Sequence, residues 1–365
     1  MINSSFKDNS TPIDLSFFKG KNVFITGHTG FKGSWLSLIL SDAGANVTGY
    51  ALEAEQNSNF NSLNLNQVVN SVIGNIKDKQ HLLTVIEEIQ PEIVFHLAAQ
   101  PIVNQSYIDP IETFETNVIG AANLLDAVTK VACVRSLVFV TSDKCYENRE
   151  WTWGYRESDR LGGYDPYSAS KASAELIFSS YAKSFLGPMG ITYAGTARAG
   201  NVIGGGDWSK NRIIPDCVRA ICQDCPVEIR NPNATRPWQH VLEPIFGYLL
   251  LAKKLYEHKI SNFEAWNFGP NKEDVSSVID VVDKFHSNFG KGETVINIEQ
   301  NSRHETNLLQ LNCDKAFNYL GWTPRWNTEK AILMTAKWYQ GYYEGVNMAK
   351  LSRVQIAKYI GGSND

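Results

Sequence analysis

A short apolar run, Val23-Phe24-Ile25, ends at Thr26 and meets a glycine triplet, Gly27-His28-Thr29-Gly30-Phe31-Lys32-Gly33, after which apolar residues recur at helical intervals from Ser34 to Leu40. This order predicts a strand, a tight turn and a helix whose first N–H groups face outward, ready for a phosphate anion. Gly27 permits the turn, Gly30 lets the backbone approach a phosphate, and Gly33 lets the helix meet the strand.

The alternation continues along the chain. Further strands are expected near 46–50, 70–73, 92–97, 136–141 and 191–198, separated by helical patterns such as Lys79–Glu88, Thr113–Val131 and Tyr164–Phe185. Strands alternating with helices give a parallel sheet, so the fold class is α/β, a doubly wound parallel Rossmann sheet. After Ala199 the regularity breaks at Gly204-Gly205-Gly206, Pro215, Pro226 and Asn231–Pro237, and returns as a helix over about Pro244–Tyr256. A smaller, interleaved carboxyl-terminal lobe follows, with residues 1–200 and about 236–262 expected in the sheet domain and about 201–235 and 263–365 in the substrate lobe.

Far downstream, Tyr167-Ser168-Ala169-Ser170-Lys171 puts a phenol and an ammonium one helical turn apart, the arrangement that takes a proton from an alcohol as its hydride leaves. The strand Leu137–Thr141 delivers Ser142-Asp143-Lys144 at its carboxyl end, the edge where open parallel sheets bind ligands. Lys171 is expected to lower the phenol's pKa, Tyr167 to accept the hydroxyl proton, and Ser142 to bond the same oxygen. Between Lys32 and Lys77 no basic residue stands ready for a ribose phosphate, so the cofactor is NAD rather than NADP. Glu53 is either a ribose ligand or a solvated loop carboxylate.

Bulk properties exclude several classes. A net charge of -4 without a run of Lys or Arg removes the footprint of a nucleic-acid binder. No apolar stretch reaches the roughly 18 residues of a membrane span, and the start has no secretory pattern, so no membrane is expected as a partner and a cytoplasmic protein is. Six cysteines in 365 residues read as reduced thiols. Cys222-Gln223-Asp224-Cys225 has metal spacing, yet Ile214, Cys217, Val218, Ile221, Cys222 and Cys225 read as one apolar helix face, and no metal site is assigned.

The chain resembles the extended short-chain dehydrogenase/reductases, and among them the nucleotide-sugar 4,6-dehydratases. The resemblance rests on Thr26 to Gly33, His96-Leu97-Ala98-Ala99-Gln100-Pro101, Thr141 to Asn148, Tyr164-Asp165-Pro166-Tyr167, Arg198 to Trp208 and Arg236-Pro237-Trp238-Gln239-His240-Val241, in that order. It implies a lyase reaction in which the C4 hydride is lent to NAD, water leaves across C5 and C6, and the hydride returns to C6. Members acting on dTDP-glucose carry Thr-Asp-Glu where this chain has Ser142-Asp143-Lys144, and the lysine resembles the branch acting on CDP-glucose. By that resemblance Asp143 is the C6 acid, while Lys144 is the C5 base or, kept cationic, a stabiliser of the enolate.

The resemblance also implies NAD contacts from Gly27, Thr29, Gly30, Phe31, Lys32, Gly33, Asn75, Ile76, Leu97, Ala98, Ala99, Tyr167 and Lys171. Asn75 stands where relatives carry Asp. A CDP-hexose would meet Gln100, Asn201, Arg236, His304 and Glu305. A homodimer is expected, or a tetramer built from it, through the long helices Thr113–Val131 and Tyr164–Phe185, and the product would serve deoxysugar biosynthesis for lipopolysaccharide O-antigen. Two rivals stand beside this reading. A 4-epimerase shares the Tyr/Lys pair but needs no eliminating acid and base, and a non-catalytic NAD-binding scaffold has no reason to keep the strand-end acid.

Overall fold

The computed structural model describes residues 14–297 and 308–361. Seven parallel strands form the central sheet: β1 Asn22–Thr26, β2 Asn46–Ala51, β3 Asn70–Ile73, β4 Ile93–His96, β5 Ser136–Val140, β6 Tyr193–Ala199 and β7 Glu264–Phe268, in the order β7-β6-β5-β4-β1-β2-β3. All the expected strands are present. Side chains alternate between the faces: Val23 and Ile25 of β1 join one apolar cluster and Phe24 the other. The middle strands are buried on both sides, which is why they read as continuous apolar runs. β1 pairs with both β2 and β4. Winding reverses between β1 and β4, and the connections part there to open a crevice at the carboxyl edge.

Three helices frame that crevice. Helix α1 (Phe31–Asp42) begins directly after Gly30, α2 (Pro166–Tyr181) crosses the edge beside β5, and α3 (Leu242–Tyr256) packs beneath β5 and β6. The pattern at 164–185 starts helically only at Pro166, because the Asp165 carboxylate caps the Ser168 N–H at 2.9 Å and Pro166 occupies the first turn. The pattern at 113–131 is not one straight helix. A wide turn at Glu115–Ile119 divides Pro110–Phe114 from Gly120–Thr129, and within it Asn117 bonds the Gln100 backbone and Ser170.

Two expectations are corrected. β7 lies beyond residue 262 yet pairs with β6 along its length, so the sheet recruits residues assigned to the second lobe. Helix Ile213–Cys222 buries Ile214, Cys217, Val218 and Ile221, but Cys222 and Cys225 are exposed, since the chain leaves the helix before completing that face. The second lobe is stitched by short pairings, Val227–Ile229 with Thr294–Ile296 and Thr235–Arg236 with Ser276–Ser277.

Candidate active site

A cleft of about 1310 Å³ runs along the carboxyl edge of the sheet and continues between the lobes. At one end the glycine turn forms its wall. Gly27 has φ +76°, and a Cβ on Gly33 would lie 2.1 Å from the Gly27 carbonyl oxygen, so turn and helix approach closely enough for the loop backbone to border the cleft. Thr29 Oγ1 donates to the Leu52 carbonyl at 3.1 Å, tying the turn to the end of β2. Asn75 accepts the Lys77 N–H on its side-chain oxygen at 2.9 Å, which fixes the amide at this end of the cleft. Gly27, Thr29, Gly30, Phe31, Lys32, Gly33, Asn75, Ile76, Leu97, Ala98 and Ala99 all line this end. A dinucleotide's phosphates fit such a cradle.

At the other end stand Tyr167 and Lys171, both buried, on one face of α2. The Tyr167 N–H donates to Ser106 Oγ at 3.1 Å, fixing the first turn. Burial pushes the Tyr167 phenol up to about 12, against a hydrogen bond with Ser142 and the charge of Arg212, while burial pushes the Lys171 ammonium down to about 8. The expected lowering of the phenol by Lys171 is therefore corrected. Burial outweighs every neighbouring charge, and the leading positive charge on the phenol is that of Arg212.

Opposite lies the end of β5. Ser142 Oγ donates to Asp143 Oδ1 at 2.9 Å and accepts the Lys144 N–H at 3.2 Å. Asp143 is buried, its Oδ2 has no partner among the described residues, and a Cβ on Gly200 would come within 1.7 Å of that oxygen. Lys144 is half-buried and lines the cleft. Behind them a buried pair anchors the wall, with Arg198 Nε and Nη2 each 2.9 Å from a carboxylate oxygen of Glu175, one helical turn beyond Lys171.

Asn201 and Arg236 border the cleft, Asn201 in a left-handed conformation at φ +44° and Arg236 donating to the Thr235 carbonyl at 2.9 Å. Gln100 is a correction: its amide donates to Thr113 at 2.9 Å and accepts from the Ile102 N–H, turning it from the cleft wall into the loop's own support. Glu53 is exposed and outside the cleft lining. His304 and Glu305 lie outside the described residues. The sequence reading missed Asp207 and Arg212, an ion pair at 2.9 Å that brings a guanidinium to Tyr167. Asp207 stands inside the motif Arg198 to Trp208 and Arg212 in the charged loop before Pro215, and neither signal says where the pair points.

The sheet order, the glycine turn and the Tyr/Lys pair at the carboxyl edge define the short-chain dehydrogenase/reductase class, here with a second lobe closing the cleft. The chain belongs to the GDP-mannose 4,6 dehydratase family, whose sequence model matches residues 24–335. It is 48% identical over 353 residues to CDP-glucose 4,6-dehydratase of Salmonella typhimurium, covering 95% of this chain and 98% of the relative. The fold is also that of dTDP-glucose 4,6-dehydratase from Bacillus anthracis, crystallised with NAD, at TM-score 0.75 and 24% identity over 90% of this chain and all (100%) of the other. UDP-glucose 4-epimerase from Thermotoga maritima, with UDP-glucose, gives TM-score 0.77 at 21% identity over 88% and 99%.

Proposed function

We propose that the chain is a hydro-lyase converting CDP-D-glucose to CDP-4-keto-6-deoxy-D-glucose and water, with NAD as its cofactor. One observation carries the reading: Asp143, buried with an Oδ2 that has no partner among the described residues, and Lys144 face the same cleft as Tyr167 and Lys171. An epimerase would need only the second pair. The full-length similarity to CDP-glucose 4,6-dehydratase supports the choice of substrate.

The glycine turn with Thr29, Phe31 and Lys32, the adenine-side Asn75 and Ile76, the trough Leu97-Ala98-Ala99, and Tyr167 with Lys171 would hold NAD. When bound, it supplies a reversible hydride acceptor, oxidising C4 and reducing C6. Tyr167 Oη takes the C4 hydroxyl proton, and Ser142 holds the same oxygen by a hydrogen bond. The ketone formed at C4 acidifies C5. Lys144 removes the C5 proton while Asp143 protonates the departing C6 hydroxyl. Asn201 and Arg236 face the diphosphate, for which a guanidinium is suited by its paired N–H groups.

Incubation with CDP-glucose, with and without added NAD, should give the alkaline absorbance of a 4-keto-6-deoxy sugar. CDP-galactose would point to epimerisation, and no turnover to a scaffold. In Lys144→Met, C4 oxidation should persist and deuterium exchange at C5 should stop; normal exchange would exclude the base role. The homodimer remains our reading of the exposed Ile108, Ile111 and Ile119 beside Leu176 of α2, an apolar face suited to the same face of a second copy.

A further inference from the structure

Most of the carboxylates that border the cleft are held by a partner. Glu112 pairs with Lys77, Glu147 with Arg160 and Asp207 with Arg212, while Asp216 meets Arg219 and Asp165 caps Ser168. Asp143 bonds Ser142 and is the proposed C6 acid. That leaves Glu228, whose carboxylate has no hydrogen-bond or ion-pair partner among the described residues.

Its backbone is fixed all the same. Glu228 is the middle residue of the short strand Val227–Ile229, where the Val227 N–H donates to the Glu293 carbonyl at 2.8 Å and the Asn297 N–H to the Ile229 carbonyl at 3.0 Å. Val227 and Ile229 turn into the core, so Glu228 between them points outward and borders the cleft. Arg230, two residues on, borders the cleft as well.

A CDP-hexose with its sugar at Tyr167 and its diphosphate at Asn201 and Arg236 extends its base onto the second lobe, which carries Glu228 and Arg230. Ile214 and Val278 of that lobe also line the cleft and can flank a base ring. The pyrimidines differ at C4, where cytosine has an amino donor and uracil or thymine a carbonyl oxygen. An ionised carboxylate only accepts and a guanidinium only donates. Glu228 therefore matches the cytosine amino group and Arg230 the N3 and O2 acceptors next to it, whereas against uracil the carboxylate would meet a second acceptor.

We propose that Glu228 selects the base of the substrate: its carboxylate accepts a hydrogen bond from the 4-amino group of cytosine, with Arg230 donating to the acceptor edge of the ring. This rests on the reading above that the substrate is a CDP-hexose.

The test titrates CDP and UDP into the NAD-loaded protein by calorimetry, for wild type, Glu228→Gln and Asp216→Asn. Wild type should bind CDP the more tightly. In Glu228→Gln the ratio of the two affinities should fall about 30-fold, the middle of the range for one base-reading contact, because the new amide can turn its N–H groups to the uracil oxygen. Glu228 is exposed, so its replacement leaves the core intact. Asp216 is held by Arg219, and Asp216→Asn should keep the wild-type ratio.

A ratio unchanged in Glu228→Gln would overturn the proposal, as would a wild type that binds UDP as tightly as CDP, or a ratio that falls only in Asp216→Asn. Turnover is read separately. CDP-glucose converted by wild type, with an unchanged ratio in Glu228→Gln, removes this inference alone; no product, together with the expected fall in ratio, removes the dehydratase reading and leaves Glu228 as the reader of the base.

Discussion

Replacing Glu175 by alanine should unfold the wall of the cleft from behind. Both members of the Glu175–Arg198 pair are only 4% exposed, and the carboxylate also accepts the hydroxyls of Thr141 at 2.5 Å and Thr196 at 2.8 Å. Removing one partner of a buried pair costs about 3–5 kcal/mol, because the remaining charge stays out of water. Two orphaned hydroxyls add about 1 kcal/mol each. Arg198 keeps part of its support, since Nη1 still donates to Tyr146 Oη at 2.8 Å and the Glu157 carbonyl at 3.1 Å, and its guanidinium lies 4.9 Å from the centre of the Tyr146 ring. A net loss of about 4 kcal/mol is expected, roughly 5 °C in Tm for a chain of 365 residues.

Urea titration followed by tryptophan fluorescence measures the loss. A second arm separates charge from packing: Glu175→Leu combined with Arg198→Met removes both charges and should recover most of the stability. A loss below about 1 kcal/mol in Glu175→Ala, or a double variant less stable than the single one, would refute the reasoning from an uncompensated buried charge.

Two further outcomes concern stability and the site. Burial pushes the Glu243 carboxyl up from 4.5 to about 7, although the N–H groups of Arg325 and Trp326 and the Tyr359 hydroxyl all donate to it. The folded state thus holds this proton more tightly than the unfolded chain. Its contribution is fully present below pH 4.5 and is lost as pH rises through about 7, a span worth about 3 kcal/mol at 1.36 per unit. Glu243→Gln should flatten the stability profile across that window. The buried His96 and His240, both pushed down to about 3, act in the opposite sense below pH 6.5, so the difference between variant and wild type is the quantity to measure. Gly200→Ala drives a methyl to within 1.7 Å of Asp143 Oδ2, which should cost about 1–3 kcal/mol and displace the carboxylate. Elimination should fall more than C4 oxidation, and equal losses in quenched turnovers would argue against Asp143 as the C6 acid.

Much of the site was legible because its signals are short-range. The glycine turn needs only a strand before it and a helix after it, and all of its expected residues border the cleft. Tyr167 and Lys171 share a face because α-helical geometry puts residues four apart on one side. Ser142, Asp143 and Lys144 reach the carboxyl edge because β5 ends at Val140. Gln100 was misread for the opposite reason: its bonds to Thr113 and Ile102 depend on how the segment after β4 folds back, which no local period encodes.

The sequence by itself determined the α/β class, the strand positions and the two motifs that mark the cleft, since these follow from periodicity and from what glycine, proline and a capping aspartate do to the nearby backbone. The tertiary structure alone decided that β7 completes the sheet, that Arg212 rather than Lys171 leads the charges on Tyr167, and that the Lys32 ammonium meets the Tyr248 hydroxyl of α3. Those outcomes join residues more than 30 positions apart, and burial, which governs each titrating group here, exists only once the chain has closed around them.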